Sequence, residues 1–273
     1  MDRIRRNERM AAMTKILSTS PNKIFTLSHF CDLFGTAKST MSEDIDILRS
    51  VVKSFGLGEL ETVTGAAGGV RYRPTMDKDQ ALDCIKDLCS QLSCKERVLP
   101  GGFLYFSDIL SMPDVVSKMG MILAGKYYDE EPDFVLTMET KGIPVALMTA
   151  EALGVPLVIA RRSSKVYEGS AVNINYVSGS SGRIETMSLS RRAVKENQRA
   201  LIVDDFLKGG GTAKGMVDLM HEFNVSVVGM AFVMATASPQ KKRISGERSL
   251  MILEELADDE ITAMVRPANW LYE

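Results

Sequence analysis

The run Leu201, Ile202, Val203, Asp204, Asp205, Phe206, Leu207, Lys208, Gly209, Gly210, Gly211, Thr212 constrains the fold of this chain most. Residues 200–203 form a short, unbroken apolar stretch, the pattern of a strand buried on both faces. Two aspartates stand at its carboxyl end, glycines follow, and a helix is expected to begin near Thr212. In open α/β sheets ligands gather at the carboxyl ends of the strands. Three glycines let backbone N–H groups come close to a phosphate, and a helix N-terminus adds partial positive charge. Thr212 offers a hydroxyl and Lys208 a cation. Two carboxylates beside a phosphate cradle suit a neutral, polar group, and the hydroxyls of a ribose meet that description. The spacing is neither that of a P-loop nor G-x-G-x-x-G, which excludes a P-loop ATPase and leaves a dinucleotide fold unsupported.

Similar runs recur at residues 134–138, 155–159 and 225–231, interleaved with helical stretches at 145–153 and 213–223. That alternation predicts βαβ units and a mostly parallel sheet. The first strand leads into Glu139, Thr140, Lys141, Gly142, a second loop suited to anions, with Gly142 for close approach and Lys141 for charge. Arg161 and Arg162, at the end of the next strand, are placed to face the same polyanion. Phe103 and Phe206 are the aromatics best placed to meet a base. Residues 165–190 form a long polar stretch whose Ser-Gly tip suits a mobile hairpin, although a plain surface hairpin has the same composition.

The first 74 residues have a different texture. Leu27, Phe30, Cys31 and Phe34 make one helical face, Gly35 punctuates, and Met41, Ile45, Leu48 and Val52 make another. Two short helices across a tight turn describe a helix-turn-helix, whose second helix presents Lys38, Ser39, Thr40 and Ser42 to the major groove. Residues 60–64 and 70–73 flank a glycine-rich tip as a β-hairpin, with Val70 and Tyr72 on one side and Arg71 and Arg73 on the other. Glu43 and Asp44 would repel phosphate if they faced it, whereas Arg3, Arg5 and Arg6 would attract it. Residues 1–74 carry 11 Lys/Arg against 8 Asp/Glu, and the remainder 22 against 27, a basic head on an acidic body.

Apolar residues at 45% and charged residues at 25% are ordinary for a globular protein. No run is long enough to span a membrane and no signal peptide is recognisable, so a cytoplasmic protein is expected. Cys84, Cys89 and Cys94 recur every five residues, unlike the paired cysteines of zinc sites, and read as reduced thiols. No metal site is expected, and neither His29 nor His221 has a partner pattern for catalysis.

The 201–212 segment resembles the phosphoribosyl pyrophosphate (PRPP) motif of type I phosphoribosyltransferases, and residues 139–144 resemble the pyrophosphate loop of the same fold. Residues 35–45, with the hairpin, resemble a winged helix-turn-helix. The combination resembles the purine operon repressors of Gram-positive bacteria, over essentially the whole chain and also through residues 99–110 and 168–189. That resemblance implies a winged helix-turn-helix at 1–74 and a type I phosphoribosyltransferase-like α/β domain with a mostly parallel sheet at 75–273. It implies a homodimeric repressor of purine biosynthesis and transport genes that binds double-stranded operator DNA and is released by PRPP. The effector can bring Mg2+ with it, a guanosine alarmone is a candidate competitor, and catalysis is expected to be lost. Carried over, Asp204 and Asp205 hold ribose hydroxyls, Lys208 to Thr212 the 5′-phosphate, and Thr140 to Gly142 the pyrophosphate. Position 209 is glycine where alanine is expected, which loosens the loop without removing a donor. Two other readings stay open on the pocket pattern: a working purine phosphoribosyltransferase with an added domain, and a nucleic-acid-binding attenuator related to the transferases.

Overall fold

The computed structural model describes residues 4–65, 68–99, 103–163, 169–178, 182–254 and 263–273. The chain divides into two compact units, residues 1–77 with 151–154, and residues 78–150 with 155–273.

Three helices and a hairpin make the first unit: α1 (Arg6–Ser18), α2 (Leu27–Phe34), α3 (Lys38–Ser54), and the antiparallel pair β1 (Glu59–Val63) and β2 (Gly69–Arg73). The expected apolar faces of α2 and α3 meet there, burying Phe30, Phe34, Met41, Ile45, Leu48 and Val52 with Met13, Leu17, Leu60 and Val70. The Thr26 hydroxyl caps α2 by accepting from the His29 N–H, and Gly35 closes the helix. Helix α1 leaves a faint sequence signal because its inward stripe is Arg9, Met13 and Leu17, with a cation where an apolar residue would announce the face.

Asp44 explains that cation. It is fully buried on α3, where it accepts from Arg9 Nε at 2.8 Å and from Arg6 Nε at 2.9 Å. Asp44 therefore faces the core and not a phosphate. Arg6 is also held by Glu43, so its charge is paired within the unit, whereas Arg5 is exposed and its backbone N–H caps α1 through Glu8. Arg3 lies outside the described residues. The hairpin arginines, expected among the DNA contacts, are paired as well. Glu61 stands opposite Arg71 in register and pairs with both Arg71 (2.7 Å) and Arg73 (3.3 Å), whose side chains are mostly buried. One carboxylate thus holds both wing arginines against the stem.

The second unit begins with α4 (Lys78–Leu92), the short pair β3 (Val98–Leu99) and β4 (Phe103–Leu104), and α5 (Pro113–Ala124). A six-stranded sheet follows, built from β5 (Phe134–Met138), β6 (Leu157–Ala160), β9 (Arg199–Leu207), β10 (Ser226–Thr236), β11 (Arg248–Leu253) and β12 (Val265–Pro267). Its order is β12-β11-β10-β9-β5-β6, parallel except for the edge strand β12. Helix α6 (Ile143–Leu153) connects β5 to β6, and α7 (Gly211–Glu222) connects β9 to β10. The chain leaves β5 toward one edge of the sheet and leaves β9 toward the other. That reversal puts the topological switch point between these two central strands. The expected polar hairpin is β7 (Ala171–Val177) and β8 (Ile184–Ser190), paired antiparallel from Ala171↔Ser190 to Val177↔Ile184. Its expected mobile tip, residues 179–181, and Tyr167 fall outside the described residues.

Strand β9 does not end at Val203, as its apolar run suggested. It continues to Leu207 because β10 runs beside it, pairing Phe232 with Asp204 and Ala235 with Leu207. On its other side β9 pairs with β5 only as far as Leu136↔Ile202. The two strands then part, and the aspartates stand on the freed side.

Removing Asp44 would leave Arg9 buried without its counter-charge, a change that costs about 3–5 kcal/mol. Asp44→Ala should destabilise the first unit by that amount in urea unfolding of the full chain, followed by hydrogen exchange in α1 and α3. Glu43→Ala removes an exposed ion pair and should change stability by about 1 kcal/mol or less.

Candidate functional site

Where β5 and β9 part, their loops enclose a cavity of about 380 Å³. Residues from both expected loops line it: Thr140 and Lys141 from one, and Asp204, Asp205, Phe206, Lys208, Gly209, Gly210, Gly211 and Thr212 from the other. Arg162 lines it too. Arg161 does not; its guanidinium turns to Glu139 at 3.5 Å.

Gly142 is not on the cavity wall. It is buried, and a Cβ at this position would lie 2.0 Å from Asp204 Oδ1 and 2.6 Å from Thr137 Oγ1. Only glycine lets the 139–142 loop close over the buried Asp204 carboxylate. The close approach at this residue is to the side chains of Asp204 on β9 and Thr137 on β5. Asp204 Oδ1 accepts from the Asp205 N–H at 3.0 Å and from the Thr137 hydroxyl at 3.5 Å.

Phe103 is displaced further from expectation. It is exposed on the short β3–β4 pair and absent from the cavity lining. Three residues on, Phe106 is buried and sets its ring 6.2 Å from that of Phe206, so this segment packs an aromatic behind the cavity-lining Phe206 without lining the cavity itself. Tyr176 and Glu185 on the hairpin also line the cavity and had no sequence signal of their own. The Tyr176 hydroxyl donates to Glu185 Oε2 at 2.9 Å, and Arg162 Nη1 lies 3.5 Å from the same oxygen. Burial, helped by the bond to Glu185, pushes the Tyr176 phenol up to about 12, so it stays a neutral hydrogen-bonding group.

Gly210 precedes α7 with φ of +77°, a left-handed conformation that favours glycine, and its carbonyl accepts from the Lys214 N–H. The turn brings the loop directly into the helix N-terminus. Charge is graded across the cavity. Asp204 is buried and Asp205 half-buried, whereas Lys141 and Lys208 are exposed. Burial and the adjacent Asp205 carboxylate hold Asp204 well above the usual aspartate range, and burial raises Asp205 as well. Acceptors thus lie deep and cations at the mouth. A molecule that inserts hydroxyls and leaves its anionic groups near the loops suits this gradient. Among the described residues no three His, Cys, Asp or Glu side chains come together to hold a metal ion.

On the DNA side, Lys38 and Ser39 are exposed on the first turn of α3 and Thr40 is half-buried. Ala37 precedes them without a side-chain cap, which leaves the first backbone N–H groups of α3 without a side-chain acceptor. The four cysteines are free thiols; Cys89 is buried and pushed up to about 12. No described helix is long and apolar enough to cross a membrane.

The raised Asp204 has a consequence for stability. Its folded pKa exceeds its unfolded value, so the native state binds the proton more tightly. Stability of the ligand-free chain should then fall as pH climbs from about 3.8 toward the raised value. Asp204→Asn should flatten that dependence and raise Tm by about 2–4 °C, the shift made by about 1 kcal/mol in a domain of this size. Thermal melts from pH 4 to 8 measure it; a wild-type Tm unaffected by pH and by the substitution would contradict the assignment.

A family model described as the N-terminal part of the bacterial purine repressor matches residues 5–74, and a phosphoribosyl transferase domain model matches residues 107–262. The purine biosynthesis transcriptional repressor of Bacillus subtilis is 41% identical over 98% of this chain and 94% of its own length. The purine biosynthesis transcriptional activator of Lactococcus lactis is 40% identical over 93% of each chain. Among solved structures, adenine phosphoribosyltransferase from Rhodothermus marinus superposes with a TM-score of 0.53 at 20% identity, covering 64% of this chain and 99% of its own. That likeness shows the fold of the second unit. A helix-turn-helix head, a sheet with its switch point between the 139–142 and 204–212 segments, and matches of this extent lead to one conclusion: the chain belongs to the bacterial purine repressor family.

Proposed function

We propose that this protein represses genes of purine biosynthesis and transport by binding operator DNA through α3, and that PRPP bound in the 139–142 and 204–212 cavity releases it. The observation that carries the reading is the cavity itself. A carboxylate pair, Asp204 buried and Asp205 half-buried, lies beside a glycine loop at a helix N-terminus, in a chain that also carries a helix-turn-helix unit. Asp204 and Asp205 accept from the ribose hydroxyls, residues 208–212 cradle the 5′-phosphate, and Thr140 and Lys141 meet the pyrophosphate. Gly142 contributes by letting the loop close over Asp204. Mg2+ enters with the ligand, as its counter-ion. A guanosine alarmone, also a purine ribose carrying phosphates, competes for the same cavity.

Lys38, Ser39 and Thr40 contact the operator. The wing arginines Arg71 and Arg73, sharing the single carboxylate of Glu61, shape the hairpin and offer less free charge to the DNA. The protein works in the cytoplasm as a homodimer, so that two heads meet two half-sites. The cavity is kept for sensing and does not catalyse transfer. Support comes from the two full-length relatives, both named as transcriptional regulators. Because one is named a repressor and the other an activator, the sign of regulation is itself a prediction, and we assign repression.

Operator binding at fixed salt, titrated with PRPP, tests the reading. PRPP should lower the affinity of the wild type, and Asp204→Ala should keep basal operator binding while losing the response. Deletion of the gene should raise transcription of its target promoters, and base-dependent pyrophosphate release should be undetectable. An operator affinity indifferent to PRPP would sink the sensor reading, and steady pyrophosphate release would favour an enzyme.

A further inference from the structure

Three consecutive carbonyls of the glycine loop are turned away from the cavity, each by a different donor. Lys208 C=O accepts from Lys242 Nζ at 2.8 Å, Gly209 C=O from the Arg243 N–H at 3.1 Å, and Gly210 C=O from the Lys214 N–H at 2.9 Å. Peptide units are planar and trans, so each C=O points opposite to the N–H of the next residue. Fixing these carbonyls outward aims the N–H groups of Gly209, Gly210 and Gly211 into the cavity they line. Convergent backbone N–H groups of this kind make an anion-binding concavity.

Two of the three donors belong to one segment, the chain that follows β10. Lys242 anchors that segment as well, donating to Thr236 O at 2.9 Å and Pro239 O at 3.3 Å. Its ammonium is half-buried while its neighbours Lys241 and Arg243 are exposed, and it holds carbonyls only. Burial draws its pKa below the usual lysine value. The same segment packs on the glycine loop. A Cβ on Gly210 would meet Arg243 N at 3.2 Å and Ile244 Cγ1 at 3.3 Å.

We infer that Lys242, far from the loop in sequence and outside the cavity lining, is the positioning residue for the 5′-phosphate subsite. It sets the direction of the loop's peptide units from behind and adds a fixed positive charge to that side. The inference rests on reading the cavity as a ribose-phosphate site. It predicts that Lys242 governs one half of the effector only. The pyrophosphate half, at residues 140–141, is held by another loop with which Lys242 makes no described hydrogen bond.

Calorimetric titration of the full-length protein with ribose 5-phosphate and, separately, with inorganic pyrophosphate tests this. Lys242→Met should weaken ribose 5-phosphate about tenfold, the size expected for losing one charge-assisted hydrogen bond. Pyrophosphate affinity and basal operator affinity should stay near wild type. Lys242→Arg, which keeps cation and donors, should recover most of the loss. Should Lys242→Met fail to fold, Lys242→Gln serves in its place, with a smaller loss confined to ribose 5-phosphate. Equal binding of ribose 5-phosphate by wild type and variants would overturn the inference. So would a loss shared equally by both ligands. A wild type that binds neither ligand would instead overturn the ribose-phosphate reading on which the inference stands.

Discussion

The Asp204 carboxylate lies against Gly142, and the site depends on that contact. It joins two loops that leave the sheet in opposite directions. A side chain on residue 142 would overlap Asp204 Oδ1, so the 139–142 loop can pack here only as glycine. The contact is possible because β9 continues along β10 after β5 has turned away, which presents Asp204 and Asp205 at the open crevice. Burial and the adjacent Asp205 carboxylate then raise Asp204, while the Asp205 N–H and the Thr137 hydroxyl hold its Oδ1. A pair of hydroxyls suits the deep end of such a cavity, and an anionic group suits the glycine loop at the α7 N-terminus. The cavity's polarity thus follows from strand order and from one packed carboxylate.

A comparable contact organises the head. Buried Asp44 draws Arg9 and Arg6 onto α3 and fixes α1 against it. Buried ion pairs of this type add little net stability over apolar packing, but they penalise alternative arrangements that strand one charge. Helix α3, which we propose meets the operator, is therefore oriented by an acid that a reading based on charge alone would count against DNA binding.

Much of this was legible in the sequence. The apolar run, acid pair, glycines and threonine of residues 201–212 announce their chemistry because each part needs a specific residue type at a specific place. Helices α2 and α3 were legible through their apolar periods. The misses have common physical causes. Helix α1 was obscured by an arginine on its buried face. Phe103 and Phe106 are both plausible aromatics, and which of them reaches Phe206 depends on how β3, β4 and the following turn pack, not on local pattern. The pairing of Arg71 and Arg73 with Glu61 depends on hairpin register. Tyr176, Glu185 and Lys242 come to the site from segments distant in sequence, and nothing in their neighbours marks them. Gly142 was singled out for close approach, and the nearest group to it is a side chain 62 positions away in the chain, which no local pattern reveals.

A sensor differs from a protein that merely carries two binding sites in one respect, which is energetic coupling. Whatever factor PRPP imposes on operator affinity, the operator must impose on PRPP affinity. The most direct test is calorimetric titration of PRPP into the full-length protein, first free and then saturated with operator DNA at the same salt. The account predicts weaker PRPP binding to the operator complex, by the same factor by which PRPP weakens operator binding. Equal PRPP affinity in the two titrations would contradict it, leaving a pocket and a DNA-binding head that share a chain without communicating.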